Sequence, residues 1–320
     1  MTNKKGLKIT AAAMMATTMS LSAVNVAPAE AALSMPAIAG SQGLPSYPHP
    51  VQHKGAPNPQ PFGPEYLAGY ISDVSSYSWG VYLDVVDGFN DVRANHPAVM
   101  KQNLDKVVRI NNGVAKDKAA IKRAQDDARA DQDGVLMAFS DSLGAELGGH
   151  FRDALRENRL PKTQFLLGGG YLARAGGLAS STFVEKMVYG YDRPFVVAPD
   201  RINKYQEGPR NFYGTSKSYP SGHTNQAVWS TTLLALALPE LAPQILTRGS
   251  EAGYNRVVMG VHYPLDVIGG RMSGTAAAAD RWNDPKMRDA LQQAGKELRA
   301  ELEWRCLLYT SDAADERSSV

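Results

Sequence analysis

The chain has 320 residues, 43% hydrophobic and 21% charged, which is ordinary for a globular protein and enough for one large domain or two small ones. A net charge of +2 excludes a global drive toward nucleic acid or anionic membrane, so any anion site must be built locally. The single cysteine, Cys306, excludes an internal disulfide.

At the N-terminus, Lys4, Lys5 and Lys8 form a basic region, Ile9 to Val26 is largely apolar, and Ala29-Glu30-Ala31 is an A-x-A cleavage signal. Residues 1–31 are expected to be a signal peptide, and the mature protein to be periplasmic or secreted. Thr10, Thr17, Thr18, Ser20, Ser22 and Asn25 interrupt the apolar run and make it a poor spanning helix. Residues 32–64 carry eight of the 19 prolines, from Pro36 to Pro64, and predict an extended tail or a strap over the surface. His49 and His53 lie there without nearby acids or cysteines and read as exposed side chains.

From Glu65 onward helical patterning dominates. Ala115 to Ala130, rich in alanine and mixed charge, predicts a solvated helix, with Asp126, Asp127, Asp131 and Asp133 on its surface. Val135 to Leu147 predicts a core helix stopped by Gly148-Gly149-His150. Gly168-Gly169-Gly170 lacks the spacing of a nucleotide loop and reads as a hinge or a close packing point. Tyr171 to Tyr189 predicts one long helix with Leu172, Leu178, Phe183 and Met187 on its apolar positions. Thr231 to Leu241 is apolar but too short to span a bilayer. The last helix starts at Asn283-Asp284-Pro285 and carries Met287, Leu291, Ala294, Leu298 and Leu302 as a buried stripe. After Arg305 the composition breaks. Residues 306–320 resemble a translated sequencing-library adapter and are expected to be non-native read-through. With no strand rhythm and no repeat, the class is all-α, with one multi-helix domain over 65–305.

Three blocks carry the chemistry. In Lys186-Met-Val-Tyr-Gly-Tyr-Asp-Arg193-Pro194 the two cations are seven apart, about two helical turns, so one face can hold both. Pro194 disfavours helical geometry at Arg193 and predicts a helix end there. In Pro220-Ser221-Gly222-His223, Ser221 is a good N-cap, Gly222 permits close backbone approach, and the helix start favours an anion. His223 adds a side chain that can carry a proton near neutral pH. In Asn255-Arg256 through His262 to Asp266, Pro264 opens a helix, so Asp266 can bond one ring nitrogen of His262 and leave the other as a nucleophile. Taken singly, each block also fits solvated cations or a histidine at a helix cap.

In this order the three blocks resemble the phosphatase signature of the PAP2 superfamily, and within it the bacterial class A non-specific acid phosphatases. Vanadium haloperoxidases share the signature. The resemblance implies an all-α PAP2-type fold and phosphomonoester hydrolysis without a cofactor or metal, releasing inorganic phosphate. It implies that Lys186, Arg193, Ser221, Gly222 and Arg256 bind phosphate. It further implies that His262 attacks phosphorus, Asp266 orients it and His223 protonates the leaving alcohol. Asn255 departs from the usual serine before the arginine. Other readings stay open on sequence alone: a lipid phosphate or isoprenoid diphosphate phosphatase, a haloperoxidase, or an inactive phosphate-binding module. No nucleic-acid partner or membrane span after signal cleavage is expected, and a homo-oligomer is left open.

Overall fold

The protein is represented by a computed structural model that describes residues 48–73, 82–168, 173–177 and 182–318, with side-chain surroundings omitted for 131–133 and 308–318. The expected signal peptide, Gly169, Gly170, Leu172 and Leu178 lie outside the described residues. The main helices in chain order are α1 (Phe89–Asn95), α2 (Pro97–Gly113), α3 (Lys118–Asp133), α4 (Val135–Phe139) and α5 (Ala145–Arg156), then α6 (Phe183–Tyr189), α7 (Gly222–Ala237), α8 (Ala242–Val258), α9 (Pro264–Asn283) and α10 (Pro285–Ser318). Short helical turns and irregular segments connect them, and no strand occurs among the described residues, so the expected all-α class holds.

Helix α7 is the axis of the fold. Its residues are buried on nearly all sides, as expected for a helix without a polar face. Trp229, Leu233 and Leu234 join Phe151, Ile245, Met287 and Leu298 in the largest core cluster. Each such side chain contributes about 1.5–3 kcal/mol on full burial. Several polar residues of α7 are hydrogen-bonded within the helix or to α9: Ser230 Oγ donates to the Gln226 carbonyl at 2.7 Å, Thr231 Oγ1 to the Ala227 carbonyl at 2.6 Å, and Asn225 Nδ2 to Ser273 Oγ of α9 at 2.9 Å. Helices α8 and α9 flank α7. The contact with α9 is close enough to require glycine: a Cβ on Gly270 would stand 2.6 Å from the Ser221 carbonyl oxygen, and one on Gly274 2.6 Å from that of Asn225. No helix of the described residues is long and apolar enough to cross a membrane.

Two expected helices are shorter than their patterns predict. Among the described residues of the stretch from Tyr171 to Tyr189, the helical ones are α6 and one turn at Arg174–Gly176; Gly177 takes φ 85° and Thr182 a left-handed φ of 54°, which a continuous helix does not allow. Phe183 and Met187, expected to be buried, are 59% and 57% exposed, because α6 buries Glu185, Lys186 and Tyr189 instead. The expected helix from Val135 to Leu147 breaks at Gly144, with φ 89°. A new helix then runs through Gly148 and Gly149, so His150 sits inside α5 rather than at a helix end. Gly148 is there for packing, since a Cβ would collide with the Ser140 carbonyl.

The described part of the proline-rich segment is a strap without regular structure up to Gly63. Val51 N donates to the Glu157 carbonyl at 2.9 Å, and the Arg159 guanidinium donates to the Val51 and Pro57 carbonyls at 2.8 and 2.7 Å. Arg159 is itself fully buried against Glu301 of α10, with Nε to Oε1 at 2.7 Å. His53 meets Glu157 at 2.8 Å, and Tyr66 meets Asp289 at 2.5 Å. The strap therefore docks on α10 and the chain just after α5. Helix α10 continues without interruption through Arg305, where the composition changes.

Candidate active site

Ser221 caps α7 as its sequence predicts. It is extended at φ −74°, ψ 113°, and its Oγ accepts from Thr224 N at 3.3 Å. Ser221 N donates to the Asp266 carbonyl at 3.0 Å, which ties the start of α7 to the start of α9. Gly222 is the first residue of α7 and is buried beside it.

Helix α9 starts at Pro264, as expected, with Tyr263 as N-cap and Asp266 at the third position. The carboxylate reaches back: Oδ2 accepts from Tyr263 N at 2.9 Å, from Ser218 Oγ at 2.5 Å, and from His262 Nδ1 at 3.0 Å. His262 and Asp266 are 1% and 0% exposed, so the pair is sequestered from water. A carboxylate oxygen can only accept, so Nδ1 of His262 carries the proton and Nε2 presents a lone pair. Nε2 faces Arg193 Nη1 at 3.2 Å.

The cations converge, though not along one helix. Helix α6 ends at Gly190, with φ 55°, three residues before Arg193. Arg193 is extended, ψ 154°, as the following proline requires. Its Nε donates to the Ser216 carbonyl at 2.6 Å, Nη2 to Ser216 Oγ at 2.9 Å, and Nη1 to the Val261 carbonyl at 2.9 Å. Lys186 Nζ donates to the carbonyls of Lys217 and Ser218, each at 2.8 Å. Both cations thus grip the loop that leads into Ser221. Arg256 lies buried in the last turn of α8.

These charges act on one another. Burial, then the nearby charges of Arg193, Lys186, Arg256 and His223, holds His262 well below its usual range, which keeps the imidazole neutral. Burial and the Arg193 charge hold the Lys186 ammonium down as well. Burial raises the Asp266 carboxyl, opposed by the Ser218 hydroxyl, the Tyr263 N–H and the charges of Lys186 and Arg193. Burial likewise raises Glu185, which accepts from Tyr82 N at 2.8 Å beside Lys186. The arrangement is a dense, mostly positive cluster around one neutral imidazole nitrogen, suited to a multiply charged anion that presents an electrophilic centre to that nitrogen.

His223, in the first turn of α7, is half-buried, and its Nε2 lies 3.3 Å from the Ala128 carbonyl of α3. The carbonyl can only accept, so Nε2 is protonated. Asn255 donates through Nδ2 to Asp127 Oδ2 at 2.7 Å. Asp127 is therefore not on a solvated surface, as its charge pattern predicts, but buried and paired with Arg248.

Sequence reasoning assigns no role to Ser218 or Ser216, which hold Asp266 and Arg193, and places Asp127 on the surface rather than at the site. The polar run ahead of Tyr219 is the one available signal for the two serines. Among the described residues no cluster of histidine, cysteine and acid side chains could hold a metal ion.

Residues 166–288 match the family described as the PAP2 superfamily. Over 177 residues, 55% of the chain, it is 29% identical to the non-specific acid phosphatase of Salmonella typhimurium. Over 180 residues it is 32% identical to the non-specific acid phosphatase of Providencia stuartii. Each match covers 66% of the relative's own length, just under two thirds. A shorter match, 38% over 107 residues, 33% of the chain and 39% of the relative, is to the acid phosphatase of Zymomonas mobilis. Lys186, Arg193, Ser221, Gly222, His223, Arg256, His262 and Asp266 all fall inside residues 166–288, the stretch that matches the PAP2 superfamily.

Proposed function

We propose that the protein is an exported, metal-independent acid phosphatase that hydrolyses phosphomonoesters through a phosphohistidine. The observation that carries this reading is His262, held neutral with Nδ1 on Asp266 and Nε2 turned toward the Arg193 guanidinium. Phosphoryl transfer needs positioning and charge stabilisation more than covalent help, and Lys186, Arg193, Arg256 and the first N–H groups of α7 supply both. The relatives named non-specific acid phosphatase support the same reaction class.

In the first step the Nε2 lone pair attacks phosphorus. The P–N bond forms, the ester P–O bond breaks, and the leaving oxygen takes a proton from His223. In the second step His223 takes a proton from water, the resulting hydroxide attacks phosphorus, and the P–N bond breaks to release orthophosphate and restore His262. Asp266 keeps the Nδ1 proton in place throughout and stabilises the positive ring of the intermediate. Burial and the Arg193 charge lower the proton affinity of Lys186, and a bound phosphate would raise it again and favour the ammonium as the substrate enters.

The test is hydrolysis of a chromogenic aryl phosphate at mildly acidic pH with EDTA present. Turnover is expected to persist with EDTA, and acid quench is expected to trap a phosphoenzyme in the wild type but not in His262→Ala. A wild type without turnover, or a fully active His262→Ala, overturns the reading.

A further inference from the structure

We propose that Asp127, far from the three motifs in sequence, is a positioning residue for this site, acting through Asn255 on Arg256 and His262. The inference rests on the functional reading above and adds to it the element that holds the cradle together.

The juxtaposition comes from two helices. On α8, Arg248 and Asn255 are seven residues apart, two turns, and so share a face. That face meets Asp127 of α3. Both Arg248 terminal nitrogens pair with the carboxylate, Nη1 to Oδ2 at 3.1 Å and Nη2 to Oδ1, while Asn255 Nδ2 donates to Oδ2 at 2.7 Å. Asp127, Arg248 and Asn255 are all buried. Behind them Arg248 Nε reaches Asp141 at 3.1 Å, and Arg123 spans Asp141 and Glu251, so the clasp is braced from the surface side.

What the clasp fixes is the last turn of α8. Helix ends fray when their last carbonyls lack partners. Here the Arg256 carbonyl accepts from both Val261 N at 3.2 Å and His262 N at 3.3 Å. The turn that aims the Arg256 side chain therefore also carries the backbone of His262. Pinning Asn255 fixes the rotation of that turn about its axis, and with it the direction of a guanidinium and the height of an imidazole. The residue after Asp127 adds a second tether, because the Ala128 carbonyl meets Nε2 of His223. Two successive residues of α3 thus reach the two regions that must move proton and phosphoryl group together. Stability alone does not call for this arrangement, since a buried ion pair recovers little more than its desolvation cost and an apolar pair of similar volume would serve as well.

The experiment compares Asn255→Ala, Asp127→Ala, Asp127→Asn and the double alanine variant. Asp127→Ala leaves Arg248 buried beside a cavity and risks misfolding. Asn255→Ala leaves the Asp127–Arg248 pair whole and is the primary variant. Two readouts are used: kcat and KM on an aryl phosphate, and orthophosphate binding by calorimetry. Asn255→Ala is expected to lower kcat/KM by about 10- to 100-fold, the range seen when a partner behind a first contact is removed. Orthophosphate binding should weaken in parallel, with thermal midpoint within a few degrees of wild type. Asp127→Asn, which keeps an oxygen to accept from Asn255, should recover most of the loss seen with Asp127→Ala. The double variant should be no worse than the poorer single one. Asn255→Ala within twofold of wild type in both readouts, or additive losses in the double variant, overturns the positioning role. A wild type that binds orthophosphate without turning over the ester sinks the functional reading alone, and the binding comparison still decides the role of Asp127.

Discussion

Asp266→Asn isolates what the buried carboxylate gives His262, the proposed nucleophile. The change keeps shape and removes charge. Oδ2 accepts from Tyr263 N, Ser218 Oγ and His262 Nδ1, whereas Oδ1 is buried without a hydrogen-bond partner. An asparagine has two ways to fit. With its oxygen in the Oδ2 place, all three donors stay satisfied, but the new NH₂ points where Oδ1 was and finds no acceptor, at a cost of about 1–3 kcal/mol. With the amide flipped, the NH₂ faces Nδ1, drives the ring proton to Nε2 and removes the attacking lone pair. In the better orientation the loss is the charge that would stabilise the positive ring of the proposed phosphohistidine. Two unit charges about 4 Å apart interact by about 4 kcal/mol at an effective dielectric of 20, which is about three decades in rate. We expect kcat on an aryl phosphate to fall by about a thousandfold or more. Orthophosphate binding should persist, because Lys186, Arg193 and Arg256 are untouched. The assay is steady-state hydrolysis together with acid-quench trapping of phosphoenzyme. A variant within tenfold of wild type in kcat would refute the claim that Asp266 sets the state of His262.

Three further outcomes are expected. Gly270→Ala places a Cβ 2.6 Å from the Ser221 carbonyl and 2.9 Å from Thr224 Cβ, so α7 must shift at its capped start. It should cost about 1–3 kcal/mol by denaturant titration and lower activity more than an exposed substitution such as Ile268→Ala; equal activities would detach the turn geometry from catalysis. Arg159→Ala breaks a fully buried pair with Glu301 and frees the Val51 and Pro57 carbonyls. Its cost should be about 3–5 kcal/mol, with faster proteolysis of the strap; a loss under about 1 kcal/mol would mean that Arg305 alone satisfies Glu301. For pH, His262 is held below its usual range in the fold, so as pH falls through about 6.5 the unfolded chain gains a proton that the folded one does not. In phosphate-free buffer the stability of wild type relative to His262→Asn should therefore decline by up to about 1.4 kcal/mol per pH unit below about 6.5, until the folded pKa is reached. A difference flat from pH 7 to 5 would show that His262 titrates normally.

How much of this was legible depended on whether the partners are close in sequence. The helix starts at Ser221 and Pro264 and the bond between His262 and Asp266 are local, four residues or fewer, and local geometry sets them. The all-α class followed from periodicity for the same reason. Helix lengths did not, because the apolar pattern across Tyr171 to Tyr189 hides the positive φ of Gly177 and Thr182, which interrupts what hydrophobicity alone would continue. Gly177 was visible and could have been read as a stop. Phe183 and Met187 misled in the other direction, since α6 spends its buried face on Glu185 and Lys186 to deliver a cation to the site.

Asp127 is the instructive case. Its neighbours Asp126 and Arg129 do form the surface pair that the charge pattern of α3 implies. Yet Asp127 faces inward, because its partners, Arg248 and Asn255, lie 121 and 128 residues away. A periodic sequence tells which residues share a helix face but not which face another helix covers. The one hint was Asn255 itself, the position where the third motif departs from its usual residue. An amide there can both donate and accept, and in this fold it donates to a carboxylate that needs a second neutral donor beside Arg248. The departure from the motif and the misjudged aspartate are thus two ends of one hydrogen bond.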